Sequence, residues 1–173
     1  IKKEDIVINP ESKIVLSKKG EVAKIHLAYS QEYFNKQNPF DFYYPKIKKL
    51  LTDRKHVLFG HAIQSDFSYL NIACRRYNLP AIEMEGYDTQ KLHHLIYKTP
   101  HIESLEKIVE ELEIEKDFLY HKSSEDAHAT MLVAKRIFEE YELDFATFKD
   151  KYSDCLVKNV CPKPKEKNIS RNQ

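Results

Sequence analysis

The feature that most constrains the fold is an alternation of short apolar runs with longer amphipathic segments. Residues 56–59 form a compact apolar run closed by Gly60, which is typical of a buried strand. Residues 82–87 form a second run of this kind. Apolar residues recur at helical spacing in the segments that follow each run. Strands that alternate with helices predict an α/β domain with a partly parallel sheet.

Five helices are expected from this spacing, over residues 40–51, 67–77, 88–95, 104–112 and 123–141. The regular part of the first should begin near Pro45, since proline is tolerated in a first turn. Ser123 or Ser124 should cap the last. Residues 5–9 resemble a strand ended by Asn-Pro, and residues 14–16 and 21–25 could form a hairpin or an irregular excursion.

Length and charge restrict the classes of protein to which the chain can belong. Its 173 residues suit one domain, which we place at residues 1–153. Residues 154–173 are predicted to be a flexible basic tail, because residues 162–168 have no apolar period. The net charge of +1 excludes general electrostatic attraction to nucleic acid. Three cysteines form no recognisable disulfide framework, and no apolar run could span a bilayer, so we expect a cytoplasmic protein.

The first candidate site follows the apolar run at 56–59. A polar turn after Gly60 contains His61 and brings Asp66 to the start of the next helix. Open α/β sheets bind ligands beyond the carboxyl ends of their strands, which is where this turn is expected. A structural interpretation is also open, in which Asp66 only caps the helix and His61 is a loop residue.

The second candidate site combines His121 with Asp126 at the start of the last helix. Histidine has the unperturbed pKa nearest neutrality and suits removal of a proton from water. Aspartate is a hard oxygen ligand suited to Mg²⁺ or Mn²⁺. Ser123 and Asp126 also have the spacing of a capping arrangement, so Asp126 could serve the helix alone. Asp88, at the end of the second run, is interpreted as structural rather than as a ligand.

Taken together, these segments resemble the motifs of the DEDDh 3′–5′ exonuclease family, which includes the proofreading subunit of bacterial DNA polymerase III. The resemblance covers roughly residues 4–141. The matching elements are His61-Ala62-x-x-x-Asp66-Phe67-x-x-Leu70, then Asp88-Thr89, then His121 and Asp126 followed by Ala127-x-Ala129-Thr130.

The resemblance implies a ribonuclease H-like exonuclease fold, with a mixed central sheet flanked by helices. It implies a two-metal site of Mg²⁺ or Mn²⁺ that hydrolyses phosphodiester bonds at the 3′ end of single-stranded DNA or RNA, with DNA favoured. Asp66 and Asp126 would be metal ligands, His121 the general base, and His61 a neighbour of the substrate. A polymerase or a larger polypeptide would be the protein partner.

The chain departs from the family at the first motif, because no Asp-x-Glu is present on an opening strand. Glu4, Asp5 and Glu11 do not have that spacing. We therefore expect the first two strands, with this motif, to lie upstream of Ile1. A catalytically inactive nucleic-acid-binding or scaffold module on the same fold is the alternative. A metal-dependent phosphatase or nucleotide hydrolase acting on small substrates is a third hypothesis.

Overall fold

The computed structural model describes residues 4–15, 27–114 and 121–160. The strands in these ranges are β1 (Phe59–Gly60), β2 (Met84–Asp88) and β3 (Leu156–Asn159). The helices are α1 (Gln31–Asn35), α2 (Phe40–Thr52), α3 (Ile63–Arg76), α4 (Thr89–Tyr97), α5 (Leu105–Glu111), α6 (Ser123–Glu140) and α7 (Phe145–Lys151), with a short 3-10 helix at Ser153–Cys155. This is a mixed α/β architecture, as predicted.

The three strands form one mixed sheet in the order β1-β2-β3. β1 pairs in parallel with β2, and Phe59 lies opposite Tyr87. The predicted strand at 56–59 is thus regular only at its end, although the Leu58 carbonyl still accepts a bond of 2.8 Å from the Tyr87 N–H. A Cβ on Gly86 would lie 2.7 Å from Cδ1 of Ile63. Gly86 therefore lets the Ile63 side chain, in the first turn of α3, pack directly against β2.

β3 corrects the predicted boundary of the tail. It pairs antiparallel with β2, and Met84 lies opposite Asn159. The Asn159 amide donates to the Ile82 carbonyl at 2.7 Å and to the Asn71 side chain at 3.1 Å. A tail beginning at residue 154 is therefore wrong, because residues 156–159 are part of the sheet. Residues 161–173 lie outside the described residues.

Helices cover both faces of the sheet, since neighbouring positions along β2 point to opposite sides. Met84 packs in a core with residues of α2 and α3, whereas Tyr87 packs in a core with residues of α4 to α7. The largest fully buried side chains come from both cores: Phe67, Phe148, Ile82, Leu92, Ile108 and Ile137. This confirms a central mixed sheet flanked by helices.

Several helix boundaries differ from the predictions. α2 begins at Phe40, with Pro45 inside it on the exposed side. Proline removes one backbone hydrogen bond, and burial of Phe40, Tyr44 and Ile47 along the opposite side of the helix offsets that loss. α6 begins at Ser123 after Lys122, and no side chain caps it, so neither serine has the predicted capping role.

At the amino end of the chain, residues 5–9 form no strand. The possible hairpin at 14–25 lies largely outside the described residues. No helix in the described ranges is long and apolar enough to cross a membrane.

Candidate active site

One cavity of about 630 Å³ brings together all four residues singled out by sequence. His61 and Asp66 reach it from the turn after β1 and the start of α3, and His121 and Asp126 reach it from the start of α6. Glu106, in the first turn of α5, also lines it. The cavity thus lies at the carboxyl end of β1, where an open α/β sheet is expected to bind ligands.

Asp88 holds the wall of this cavity in place. Its side chain is 3% exposed, and one carboxylate oxygen accepts from the Ala62 N–H at 3.1 Å and the Gln90 N–H at 2.9 Å. It is also the N-cap of α4. Ala62 has a left-handed backbone with φ of 53°, and Asp88 fixes this turn between β1 and α3. Asp88 is structural, as predicted from the sequence.

His61 lies in the turn that Asp88 fixes. Its Nδ1 atom is 3.3 Å from the Thr89 hydroxyl, and its Nε2 atom is buried without a hydrogen-bond partner among the described residues. Burial lowers the pKa of the His61 imidazole, and this outweighs the opposite effect of the Asp88 carboxylate. His61 is therefore a neutral, fixed side chain in the cavity wall at neutral pH.

Asp66 has no capping role in α3. The N-cap of that helix is Ala62, and no side chain caps its first turn. The Asp66 carboxylate faces the cavity instead. Partial desolvation raises the pKa of this carboxyl, and the nearby Asp88 carboxylate adds to the rise. A cation in the cavity would relieve both effects, so the position of Asp66 favours the ligand interpretation over the capping one.

His121 and Asp126 are joined by the turn that precedes α6. The His121 N–H donates to the Asp126 carboxylate at 3.3 Å, and His121 has a left-handed backbone with φ of 66°. Asp126 therefore closes this turn, although it does not cap the helix with Ser123 as the spacing suggested. Partial burial raises the pKa of the Asp126 carboxyl, against the opposing effect of His121.

Two further acidic residues near the cavity were not identified from the sequence. The Glu106 carboxylate lies 3.8 Å from Nε2 of His121, with both side chains about half exposed. Asp5 accepts a hydrogen bond of 3.3 Å from the Ser123 hydroxyl beside the cavity. Glu106 follows a serine N-cap, Ser104, so in sequence it has the pattern of an ordinary first-turn acid. Only the packing of α5 against α6 brings it to His121.

The family model of the DNA polymerase III subunit epsilon-like C-terminal domain, of DEDDh type, matches residues 16–137. That match spans well over half of the 173 residues. The chain belongs to the DEDDh exonuclease family. All four residues singled out by sequence lie inside the matched range. No curated protein and no solved structure matches the chain.

Members of this family are usually 3′–5′ exonucleases, and they generally use divalent metals. Within the described ranges, no group of three or more His, Cys, Asp or Glu side chains could hold a metal ion. Asp66 and Asp126 face the same cavity, but they do not complete a ligand set with a third side chain. The described residues therefore do not fit a two-metal centre by themselves.

Proposed function

We propose that this chain is part of a metal-dependent 3′–5′ exonuclease that removes nucleotides from the 3′ end of nucleic acid, with DNA as the preferred substrate. The supporting observation is that His61, Asp66, His121 and Asp126 line one cavity although they are spread over more than sixty positions. Membership of the epsilon-like family supports association with a polymerase or with a larger polypeptide.

Each of these side chains has a chemical role in the proposal. His121 is half exposed at the cavity and takes the proton from the attacking water as general base. Asp66 and Asp126 would supply two of the oxygen ligands, of the kind that Mg²⁺ or Mn²⁺ prefers. His61 lies beside the substrate in the cavity wall. The described residues contain no group of three metal ligands, so the remaining carboxylates would come from outside them.

The unpaired outer edge of β1 is a suitable position for a strand that carries those carboxylates. No described strand pairs with this edge, and Val57 beside it is 45% exposed. An apolar groove of about 670 Å³ runs between Val57 and Leu58 on one side and Met131 and Phe138 of α6 on the other. We propose that a strand with an Asp-x-Glu motif pairs here and directs its acids into the cavity, completing a ribonuclease H-like sheet.

A catalytically inactive nucleic-acid-binding or scaffold module remains the second candidate. The observation in its favour is that the described residues contain no group of three metal ligands. Such a module would bind a nucleic acid strand but leave it intact at every concentration of Mg²⁺ or Mn²⁺.

A single-stranded 20-nucleotide DNA labelled at its 5′ end tests the proposal. With the full-length protein and Mn²⁺, we expect a ladder of products that shorten one nucleotide at a time, and no products in EDTA. Binding without cleavage would support the inactive module. Hydrolysis of free nucleotides without cleavage of the DNA would instead support a small-substrate hydrolase.

A further inference from the structure

A basic segment lies at the end of α2 and in the turn that leads to β1. Residues 46–56 contain five Lys or Arg residues and one acid, Asp53, which gives a local net charge of +4. The net charge of the whole chain is +1, so the rest of the chain is net negative. Lys49, Arg54 and Lys55 are exposed, and we call these three residues the basic turn.

Asp53, the one acid in this basic segment, forms no ion pair with the basic turn. The carboxylate of Asp53 accepts from the Lys55 backbone N–H at 3.0 Å and lies 3.3 Å from Nδ1 of His56, so it serves the turn. No ion pair joins the basic turn to any described residue. Four other lysines do pair with acids: Lys36 with Glu32, Lys46 with Glu4, Lys107 with Glu103, and Lys135 with Glu139.

The basic turn is also close to the cavity along the chain. Gly60, where β1 ends and the cavity begins, follows Lys55 by five positions. An extended chain spans at most about 18 Å over five residues. A stacked nucleic acid strand advances about 3.4 Å per nucleotide. A strand whose end lies in the cavity therefore needs on the order of five nucleotides to reach the basic turn.

We propose that the basic turn binds the phosphodiester backbone of the strand whose 3′ end occupies the cavity. This proposal rests on the proposed function for its partner. Three exposed cations without an ion pair among the described residues, of which Lys55 lies within about 18 Å of Gly60 along the chain, are suited to neutralise successive phosphates. Lys49 also has a structural explanation, because a cation in the last turn of α2 interacts favourably with the carboxyl end of that helix. That explanation does not account for Arg54 and Lys55, which lie beyond the helix.

Binding of a 5′-fluorescein oligothymidylate of 20 nucleotides in EDTA tests this surface by fluorescence anisotropy between 50 and 200 mM salt. We compare wild type with K49Q/R54Q/K55Q. Each phosphate contact on a single strand contributes about 0.7 to the salt slope, so the triple variant should lose about 2 units of slope. Between 50 and 200 mM salt, the factor by which wild type loses affinity should therefore be about 20 times the factor by which the variant loses it.

The matched control is K36Q/K149Q/K158Q, which removes the same charge from exposed positions elsewhere. We expect this control to keep the wild-type slope. Equal loss of slope in both variants would overturn the proposal, because it would indicate a general field effect. A wild-type slope in K49Q/R54Q/K55Q would also overturn it. A thermal midpoint within about 2 °C of wild type should show that the variant is folded, and R54Q/K55Q repeats the test with changes outside the helix.

Hydrolysis of the p-nitrophenyl ester of thymidine 5′-monophosphate separates this proposal from the proposed function. That substrate is too short to reach the basic turn, so kcat/KM should be the same in wild type and in K49Q/R54Q/K55Q. A tenfold fall in kcat/KM would overturn the assignment, because it would place these residues at the cavity. A protein that cleaves neither substrate but shows the slope difference would refute the exonuclease activity and leave the binding surface supported.

Discussion

Replacement of Asp88 by alanine should destabilise the fold far more than the loss of one helix cap. Loss of an N-cap costs about 1 kcal/mol. The Asp88 carboxylate also accepts from the Ala62 N–H, and a buried donor left without an acceptor costs a further 1–3 kcal/mol or so. We therefore expect Asp88→Ala to lower the free energy of unfolding by about 2–4 kcal/mol.

Asp144→Ala is the matched control, because Asp144 caps α7 but is exposed. Its loss should cost about 1 kcal/mol. Asp88→Asn keeps the accepting oxygen and should remain within about 1 kcal/mol of wild type. Urea denaturation followed by far-ultraviolet circular dichroism measures all three, with the slope m unchanged.

If Asp88→Ala lowered the free energy of unfolding no more than Asp144→Ala does, the hydrogen bond from the Ala62 N–H to Asp88 would not stabilise the turn as we propose. If Asp88→Ala kept wild-type stability but abolished cleavage of DNA, Asp88 would belong to the catalytic machinery and its structural assignment would be wrong.

Three other perturbations test the core, the cavity and the buried histidine. Phe148 is fully buried against the rings of Phe59 and Tyr87, so Phe148→Ala should cost about 3–5 kcal/mol in urea denaturation, and a cost below about 1.5 kcal/mol would contradict this packing. Glu106→Gln should lower the single-turnover cleavage rate by only about two- to fivefold, because exposed ion pairs contribute up to about 1 kcal/mol; a loss above a hundredfold would indicate direct participation. Burial lowers the pKa of His93 below its unfolded value despite the nearby Glu111, so the unfolded state binds more protons and stability should fall as the pH drops below about 6.5, by up to about 1.4 kcal/mol per pH unit. His93→Gln should flatten this dependence between pH 5 and 8, and an equal slope in both proteins would rule out His93 as the cause.

The sequence predicted the parts of the fold in which local pattern and tertiary packing agree. α5 matches its predicted range closely, because the apolar positions that bury Ile108 and Val109 repeat at helical spacing. The predicted strand at 82–87 is largely β2, where Met84 and Tyr87 are both buried because helices cover both faces of the sheet. The partly parallel sheet followed from the same alternation of strands and helices, whereas the mixed central sheet was implied by the family resemblance.

The errors arise where distant contacts decide the structure. β3 is only four residues long, and it becomes a strand because β2 supplies its hydrogen bonds and Asn159 binds the Ile82 carbonyl. Neither contact is visible as a period in the sequence. α3 extends back to Ile63 because Gly60 and Gly86 leave room for its first turn.

The candidate site shows the same division. Residue type and spacing identified His61, Asp66, His121 and Asp126, and these four side chains do line one cavity. The same spacing could not identify Glu106, which reaches the cavity through the packing of α5 on α6. Order and spacing along the chain thus identify motif residues, whereas residues that join the site through helix packing require the structure.

The rate at which His121→Ala removes nucleotides from a 5′-labelled single strand, measured beside His101→Ala, tests the central claim most directly. His101 is exposed and does not line the cavity, so its replacement should leave the rate unchanged. With both variants folded, we predict that His121→Ala lowers the rate about a hundredfold or more, since a general base contributes about 10²–10⁴. A wild-type rate in His121→Ala would contradict the assignment of this cavity as the catalytic site.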